Sequence, residues 1–346
     1  MRKGALFLTV GAVLLLAAGA AARFVVLPAV HQVPSNVDNT LRYSGTVSMI
    51  NPAALAAGDT SRLFLTNVAV TAEQRVKTVS VSGRTAVMSS DIAVKGPDGA
   101  SIITSSHLYA LDRVTLEAAQ PPAGASAEPH TGLALGFPLT PQRKDYQYWD
   151  PTTQTATPAR YSKTETKAGR EAFVFTVHAE GSIKDPKIQA MLPDNLPKAI
   201  IPLVANNLPA AIQQLLIPLL QTLPDNLPLT YTSTTDTTFW VDSATGIVLD
   251  ADQHQVIKAQ LGGALAAAPL PAAFDLSINT TDETTNASAE QARQAANGLL
   301  LVGTYLPIGL GALGVVLLVL GIIFALRKPK DDRREVDAVA EPYPPI

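Results

Sequence analysis

The run Thr230-Tyr231-Thr232-Ser233-Thr234-Thr235-Asp236-Thr237-Thr238-Phe239-Trp240-Val241 is followed by Asp242-Ser243-Ala244-Thr245-Gly246 and then Ile247-Val248-Leu249. β-Branched and aromatic residues crowd the first run, the middle is turn chemistry, and the third is apolar again. The pattern predicts two strands joined as a hairpin. The same texture recurs upstream at 63–70, 75–81, 85–94, 101–109 and 173–177, and 46–50 belongs to the same sheet system. Lys95-Gly96-Pro97-Asp98-Gly99 is a second turn cluster between strand-like runs. The expected fold class is therefore α+β: a mostly antiparallel, twisted, barrel-like sheet.

One region departs from this texture. Residues 186–228 carry Pro193-Asp194-Asn195-Leu196-Pro197, Asn206-Asn207-Leu208-Pro209 and Pro224-Asp225-Asn226-Leu227-Pro228. An Asp or Asn ahead of a proline starts helices well, so these read as helix punctuation. Between the marks, Ile200, Leu203 and Val204, then Ile212, Leu215, Leu216 and Leu219, define apolar helical faces, and no charge occurs from 200 to 223. Such helices either pack inside the domain or form an apolar cap that meets lipid. Those seven side chains are the candidate lipid-contacting residues, with entry near 200–220.

Hydrophobicity is concentrated at the two ends. Residues 5–22 and 299–326 are free of charge, while the whole chain of 346 residues is 47% hydrophobic, 16% charged and carries a net charge of −3. Met1-Arg2-Lys3-Gly4 precedes the first run, and Arg327-Lys328-Pro329-Lys330 follows the second. Each run is long enough to span a bilayer. Positive flanks favour the cytoplasm, so the reading assigns 1–4 and 327–346 to the cytoplasm, 5–22 and 298–326 to two transmembrane helices of the inner membrane, and 23–297 to an extracytoplasmic domain. A cleaved signal peptide is the competing reading of the first run, because Ala18-Gly19-Ala20 and Ala20-Ala21-Ala22 fit small-x-small cleavage. Gly309, Gly311 and Gly314 spell a dinucleotide-binding pattern, but inside a membrane span they make a flexible or close-packing face. Ser288 and Gln291 stand at capping-box spacing, which predicts a helix from about 288 into the second span.

The composition also excludes. There is no cysteine, hence no disulfide, thiolate catalysis or cysteine-ligated metal, and the five histidines are scattered, so neither metal nor cofactor is expected. No global positive charge or basic-aromatic interleaving points to nucleic acid. No nucleophile elbow, phosphate loop or paired metal motif appears in the central domain, so an enzyme is not expected. An active site assembled from distant residues stays open.

Four blocks in the middle of the chain, Leu111-Asp112-Arg113-Val114-Thr115, Gly136-Phe137-Pro138-Leu139, Tyr146-Gln147-Tyr148-Trp149-Asp150-Pro151 and Gly169-Arg170-Glu171-Ala172-Phe173, together with Phe239-Trp240-Val241-Asp242, carry a resemblance. In this order and between these ends, the chain resembles actinobacterial envelope proteins of the PorA family. That family looks distantly like the ectodomain of class B scavenger receptors. The resemblance implies two terminal anchors, a twisted barrel with a lipid-conducting tunnel, and a helical apex. It further implies binding or trafficking of a mycolate-type glycolipid or lipoglycan precursor, with a lipid or glycolipid, the membrane and an MmpL-type transporter as partners. A scaffold for such a transporter, or a porin-like channel, is the alternative. Asp112, Arg113, Tyr148, Trp149 and Asp150 are the residues of these blocks that invite a functional reading, and strand ends, turns and packing account for them without catalysis.

Overall fold

The computed structural model describes residues 3–51, 54, 59, 62–201, 214, 224–262, 270 and 272–327. The chain divides into two compact units, residues 1–29 with 299–346, and residues 30–298.

In the first unit, α1 (Lys3–Ala21) continues through a π-helical turn, Ala22–Val26, into α2 (Leu27–Val30), while a second π turn, Leu301–Tyr305, leads into α5 (Leu306–Leu326). Two helical stretches, Gly4–Val30 and Asp282–Leu326, are long and apolar enough to cross a membrane. α1 packs on α5 through small residues: Ala5 and Ala12 are buried on one helix, Gly314 and Gly321 on the other. A Cβ at Gly314 would lie 2.9 Å from Leu16 Cγ and 3.2 Å from the Ala12 carbonyl oxygen. At Gly309 and Gly311 it would meet nothing within 4 Å. Of the three glycines in the pattern, only Gly314 serves close packing.

Among its described residues the second unit is built on one antiparallel sheet of eleven strands. They are β1 (Asp38–Ile50), β2 (Phe64–Ser82), β3 (Thr85–Lys95), β4 (Ser101–Asp112), β5 (Tyr146–Asp150), β6 (Thr155–Lys167), β7 (Arg170–Ser182), β8 (Asn195–Pro197), β9 (Asn226–Asp242), β10 (Val248–Leu261) and β11 (Ala272–Thr280). The order is β4-β3-β2-β1-β11-β10-β9-β7-β6-β5, with β8 beside β9. The hairpin read at 230–249 is present, and both of its arms extend beyond the apolar runs. The separate runs at 63–70 and 75–81 are one strand, because Glu73 faces outward and Gln74 inward, which keeps the alternation and the ladder unbroken between them.

Edge strands β4 and β5 are joined by residues 113–145. Bridges link Tyr109 to Glu128, Leu111 to Ala118, Glu117 to Leu133, and Leu133 to Tyr148. The Leu133 amide donates to Gln147 O at 2.8 Å, and the Trp149 amide donates to Leu133 O at 2.7 Å. This segment also delivers Phe137, which is 1% exposed and lies 4.6 Å from Phe175, 5.5 Å from Phe239 and 5.9 Å from Tyr148, ring centre to ring centre. It closes one end of the curled sheet as an aromatic plug. Gly246 is tied to the same segment: its φ of +73° suits glycine, and a Cβ there would sit 2.0 Å from Pro138 O. A second core cluster, including Val47, Val70, Ile257, Phe274, Leu276 and Ile278, fills another part of the interior.

The helix punctuation at 193–197 and 224–228 takes another form. The two identical pentapeptides pair with each other as β8 and the start of β9, Asn195 opposite Pro228 and Pro197 opposite Asn226. Leucine before proline is pushed out of the α region into extended geometry, and each leucine is buried against the ladder. Of the expected apolar cap, α3 (Pro186–Gln189), capped by the Asp185 carboxylate, and a 3₁₀ turn at Lys198–Ile200 are described. The Ile200 side chain and residues Leu203, Val204, Ile212, Leu215, Leu216 and Leu219 lie outside the described residues. The helix expected from 288 begins six residues earlier, as α4 (Asp282–Leu300). The Thr281 hydroxyl accepts from the Thr284 amide and acidic residues occupy the first turn, whereas Ser288 is buried in mid-helix.

Candidate functional site

Period-two alternation sends one face of every long strand inward, and inside the curl the inward faces enclose a cavity of about 200 Å³. It is lined from both sheet edges, by Ser105 and His107 of β4 and by Tyr148, Trp149 and Asp150 of β5, as well as from the central strands. The apolar part of the lining includes Ile92, Val94, Ile103, Ile188, Leu276 and Ile278. The polar part is unusual for an inward sheet face. On β9, Thr235 and Thr237 precede Phe239 on the same side, and on β10, Gln253 and Gln255 follow Ala251.

Some of these groups are tied to one another. Tyr43 Oη donates to Gln74 Oε1 at 3.0 Å, and Gln74 Nε2 donates to Ser90 Oγ at 3.0 Å. Gln255 Nε2 reaches Thr152 Oγ1 at 3.2 Å and Ser233 Oγ at 3.3 Å. One buried hydroxyl, Thr235 Oγ1, has no hydrogen-bond partner, although its residue lines the cavity. Burial pushes the phenols of Tyr43 and Tyr148 well above their ordinary range, so both remain neutral donors.

The charged groups cluster at His107. Its Nδ1 lies 2.8 Å from Glu128 Oε2, and its Nε2 lies 2.7 Å from Ser105 Oγ and 3.5 Å from Asp185 Oδ2. Burial alone would lower the His107 pKa, but hydrogen bonds to Asp185 and Glu128 raise it above the ordinary imidazole value. The acid–imidazole–hydroxyl order resembles a hydrolase triad in connectivity only. With carboxylates at both ring nitrogens the imidazolium is favoured, and a charged ring cannot take the Ser105 proton. The cluster instead ties β4 to Glu128 of the closing segment and to Asp185 ahead of α3. Among the described residues no group of three His, Asp or Glu is arranged to hold a metal ion.

Of the residues singled out in sequence, Tyr148, Trp149 and Asp150 line the cavity. The Asp150 carboxylate accepts from the Thr153 amide at 2.8 Å and the Thr153 hydroxyl at 2.6 Å, while burial pushes its pKa above the usual carboxylate range. Asp112 and Arg113 sit elsewhere. Asp112 accepts from the amides of Val114 and Thr115 at 2.8 and 2.9 Å and pairs with Arg84 at 3.0 Å. Arg113 donates to Val33 O at 2.8 Å and to Gly83 O at 3.2 Å. Asp242 repeats the Asp-x-x-Thr turn with Thr245 and adds Arg170 at 2.8 Å. These carboxylates shape turns. Tyr43, His107, Asp185, Thr235 and Gln255 escaped the sequence reading. For the four on strands the available signal was a polar residue at the parity of its strand's inward apolar neighbours; for Asp185 it was the Asp-Pro start of a helix.

No curated protein matches the chain. A solved structure of a candidate thioesterase II from Thermobifida fusca YX aligns at 13% identity over 65% of this chain and 79% of its own, with a TM-score of 0.12. A likeness of that size carries no argument. The family model described as porin PorA matches residues 4–323, nearly the whole chain with both apolar helices. The chain is a membrane protein of the porin PorA family.

Proposed function

We propose that the protein binds a long-chain lipid or glycolipid in the cavity of its curled sheet and assists its movement through the envelope without chemical change. In this reading both termini are cytoplasmic, the two apolar helices lie in the inner membrane, and the sheet unit faces away from the cytoplasm. The single observation that carries it is the cavity itself. Inward strand faces that could have closed into a solid core leave a space lined by aliphatic side chains at Ile92, Val94, Ile103, Leu276 and Ile278. At about 0.8 kcal/mol per buried methylene, even part of an acyl chain gives useful affinity.

A porin-like channel is the second reading, and the family name favours it. Against it stand the outer faces of the strands, which present Arg42, Glu73, Arg75 and Lys163 to solvent. A barrel crossing a membrane by its strands shows an apolar band there. A scaffold for an MmpL-type transporter is kept as the reading that remains if no lipid is found.

The test is lipid extraction and mass spectrometry on the full chain purified without added lipid. A long-chain lipid at near-stoichiometric yield is expected. A lipid-free protein that takes up none and conducts ions across a planar bilayer establishes the channel reading instead.

A further inference from the structure

We propose that His107 is a proton-operated latch on the seam between the two edge strands of the curled sheet, shut while its ring is charged and released on the Asp185 side when the ring is neutral. The inference concerns access to the cavity and holds whatever molecule the cavity takes.

Among the described residues β4 and β5 do not pair, so the curl leaves a seam between them. Along part of it the closing segment fills the gap, with Glu128 bridged to Tyr109 and Leu133 to Tyr148. Over residues 101–107, β4 pairs with β3 alone among the described residues. Asp185 spans the seam there. Its amide donates to Thr152 O at 3.1 Å, just past β5, and its carboxylate lies 3.5 Å from His107 Nε2 on β4. Asp185 also caps α3, whose Ile188 lines the cavity together with Ser105, His107 and Asp185 itself. Loss of this contact therefore opens the cavity wall.

The chemistry of the ring decides which side lets go. Charged, it presents N–H to Glu128 from Nδ1 and to Ser105 and Asp185 from Nε2. Neutral, it keeps one N–H. A hydroxyl can turn from acceptor to donor and a carboxylate cannot, so the retained proton stays on Nδ1 against Glu128 while Ser105 donates to Nε2. Asp185 alone loses its partner. The other charged and titratable groups nearby are Lys187, whose ammonium donates to Ser106 O, Asp150 of β5, and Tyr109 with His130 beyond it. They leave Asp185 the Lys187 amide at 2.9 Å and the weaker pull of the Lys187 ammonium, against burial and the charge of Asp150. A carboxylate with a 3% exposed side chain and no ion-pair partner moves toward water.

The chain has no cysteine, so Thr235→Cys places a single thiol in the cavity wall. In that background the full chain, held in lipid nanodiscs, is labelled with N-ethylmaleimide with and without His107→Asn. Asparagine keeps a donor for Glu128 and carries no charge. The rate ratio at each pH cancels the ionisation of the thiol. His107→Asn is expected to label at least tenfold faster than its parent at about pH 5.5 and at the parent's rate at about pH 9. The same ratio at both pH values overturns the proposal. Ser105→Ala removes the donor that satisfies the neutral ring, so the midpoint of the normalised profile is expected to rise; an unmoved or lowered midpoint overturns release at Asp185. One measurement needs no variant. Hydrogen exchange at the Gln189 and Ala190 amides of α3, corrected for its intrinsic pH dependence, should quicken more than threefold across that range while the Phe175 amide keeps its protection. Equal corrected exchange at α3 overturns the latch.

Discussion

Leu196 stands directly opposite Leu227 in a short antiparallel ladder built from two copies of one pentapeptide. The flanking bonds mirror each other: the Lys198 amide donates to Asp225 O at 2.8 Å, and the Leu229 amide to Asp194 O at 2.9 Å. Pro197 and Pro228 cannot donate, but in this register they stand at the positions whose amides point away from the partner strand, so the ladder tolerates them. Leu227 is 2% exposed, and its truncation to alanine should cost about 2–4 kcal/mol at this neck. Hydrogen exchange is the measurement: the Lys198 and Leu229 amides should exchange more than tenfold faster in Leu227→Ala, while the Phe175 amide keeps its protection. Unchanged exchange at Lys198 would show that the pairing does not depend on the leucines.

The two apolar helices make a contrast between neighbouring glycines. Valine at Gly314 has to displace Leu16 and the Ala12 carbonyl, whereas valine at Gly309 meets open space. Gly314→Val should therefore accelerate amide exchange across 8–19 in α1, and Gly309→Val should not. Because α1 is the partner of α5, the purified chain should also retain residues 1–22. An N-terminus near residue 21 or 23 would show that the first helix is removed.

The His107 cluster sets a pH dependence whose sign follows from its raised pKa. A group whose folded pKa exceeds its unfolded value stabilises the fold fully below the unfolded pKa, and that stabilisation is lost as pH rises through the folded one. Asp185 works in the other direction. Burial alone would raise its pKa, but His107 and the Lys187 amide lower it, so its contribution is lost only in acid, below the ordinary carboxylate value of 3.8. The melting temperature of the parent should thus fall, relative to His107→Asn, as pH rises above the ordinary imidazole value of about 6.5. Parallel melting profiles for the two proteins over that range would contradict the assignment.

Ala168 occupies the first central position of the β6–β7 hairpin with φ +47°, followed by Gly169 at +73°. Two-residue turns of this hand favour Asn-Gly, and a left-handed alanine costs about 1–2 kcal/mol. Ala168→Asn should stabilise the sheet unit by about 1 kcal/mol, seen as a higher denaturation midpoint at unchanged slope. A lower midpoint would mean that the alanine makes a contact worth more than the relief of its backbone.

The sequence was readable wherever one residue type has one cheap environment. Twenty-eight uncharged residues at 299–326 have no place in a soluble fold, and Asp242 to Gly246 can hardly be anything but a turn. It was ambiguous at 155–167 and 250–261, where Lys163, Glu165, His254 and Lys258 interrupt the apolar signal although the strands are long. Their ladders are satisfied by neighbouring strands, β7 along 159–167 and β9 along 248–261, and pairing of that kind is invisible to a single segment.

By itself, then, the sequence determined the two terminal helices, the antiparallel character of the sheet and several of its turns, because hydropathy and backbone stereochemistry act over a few residues. Only the tertiary structure decided that 193–197 and 224–228 pair as strands, that Phe137 closes the curl, and that Ser105, His107, Tyr148, Asp185 and Gln255 share one cavity. These contacts join positions tens of residues apart, and their energy comes from desolvation and packing after the sheet has curled, so no local pattern records them.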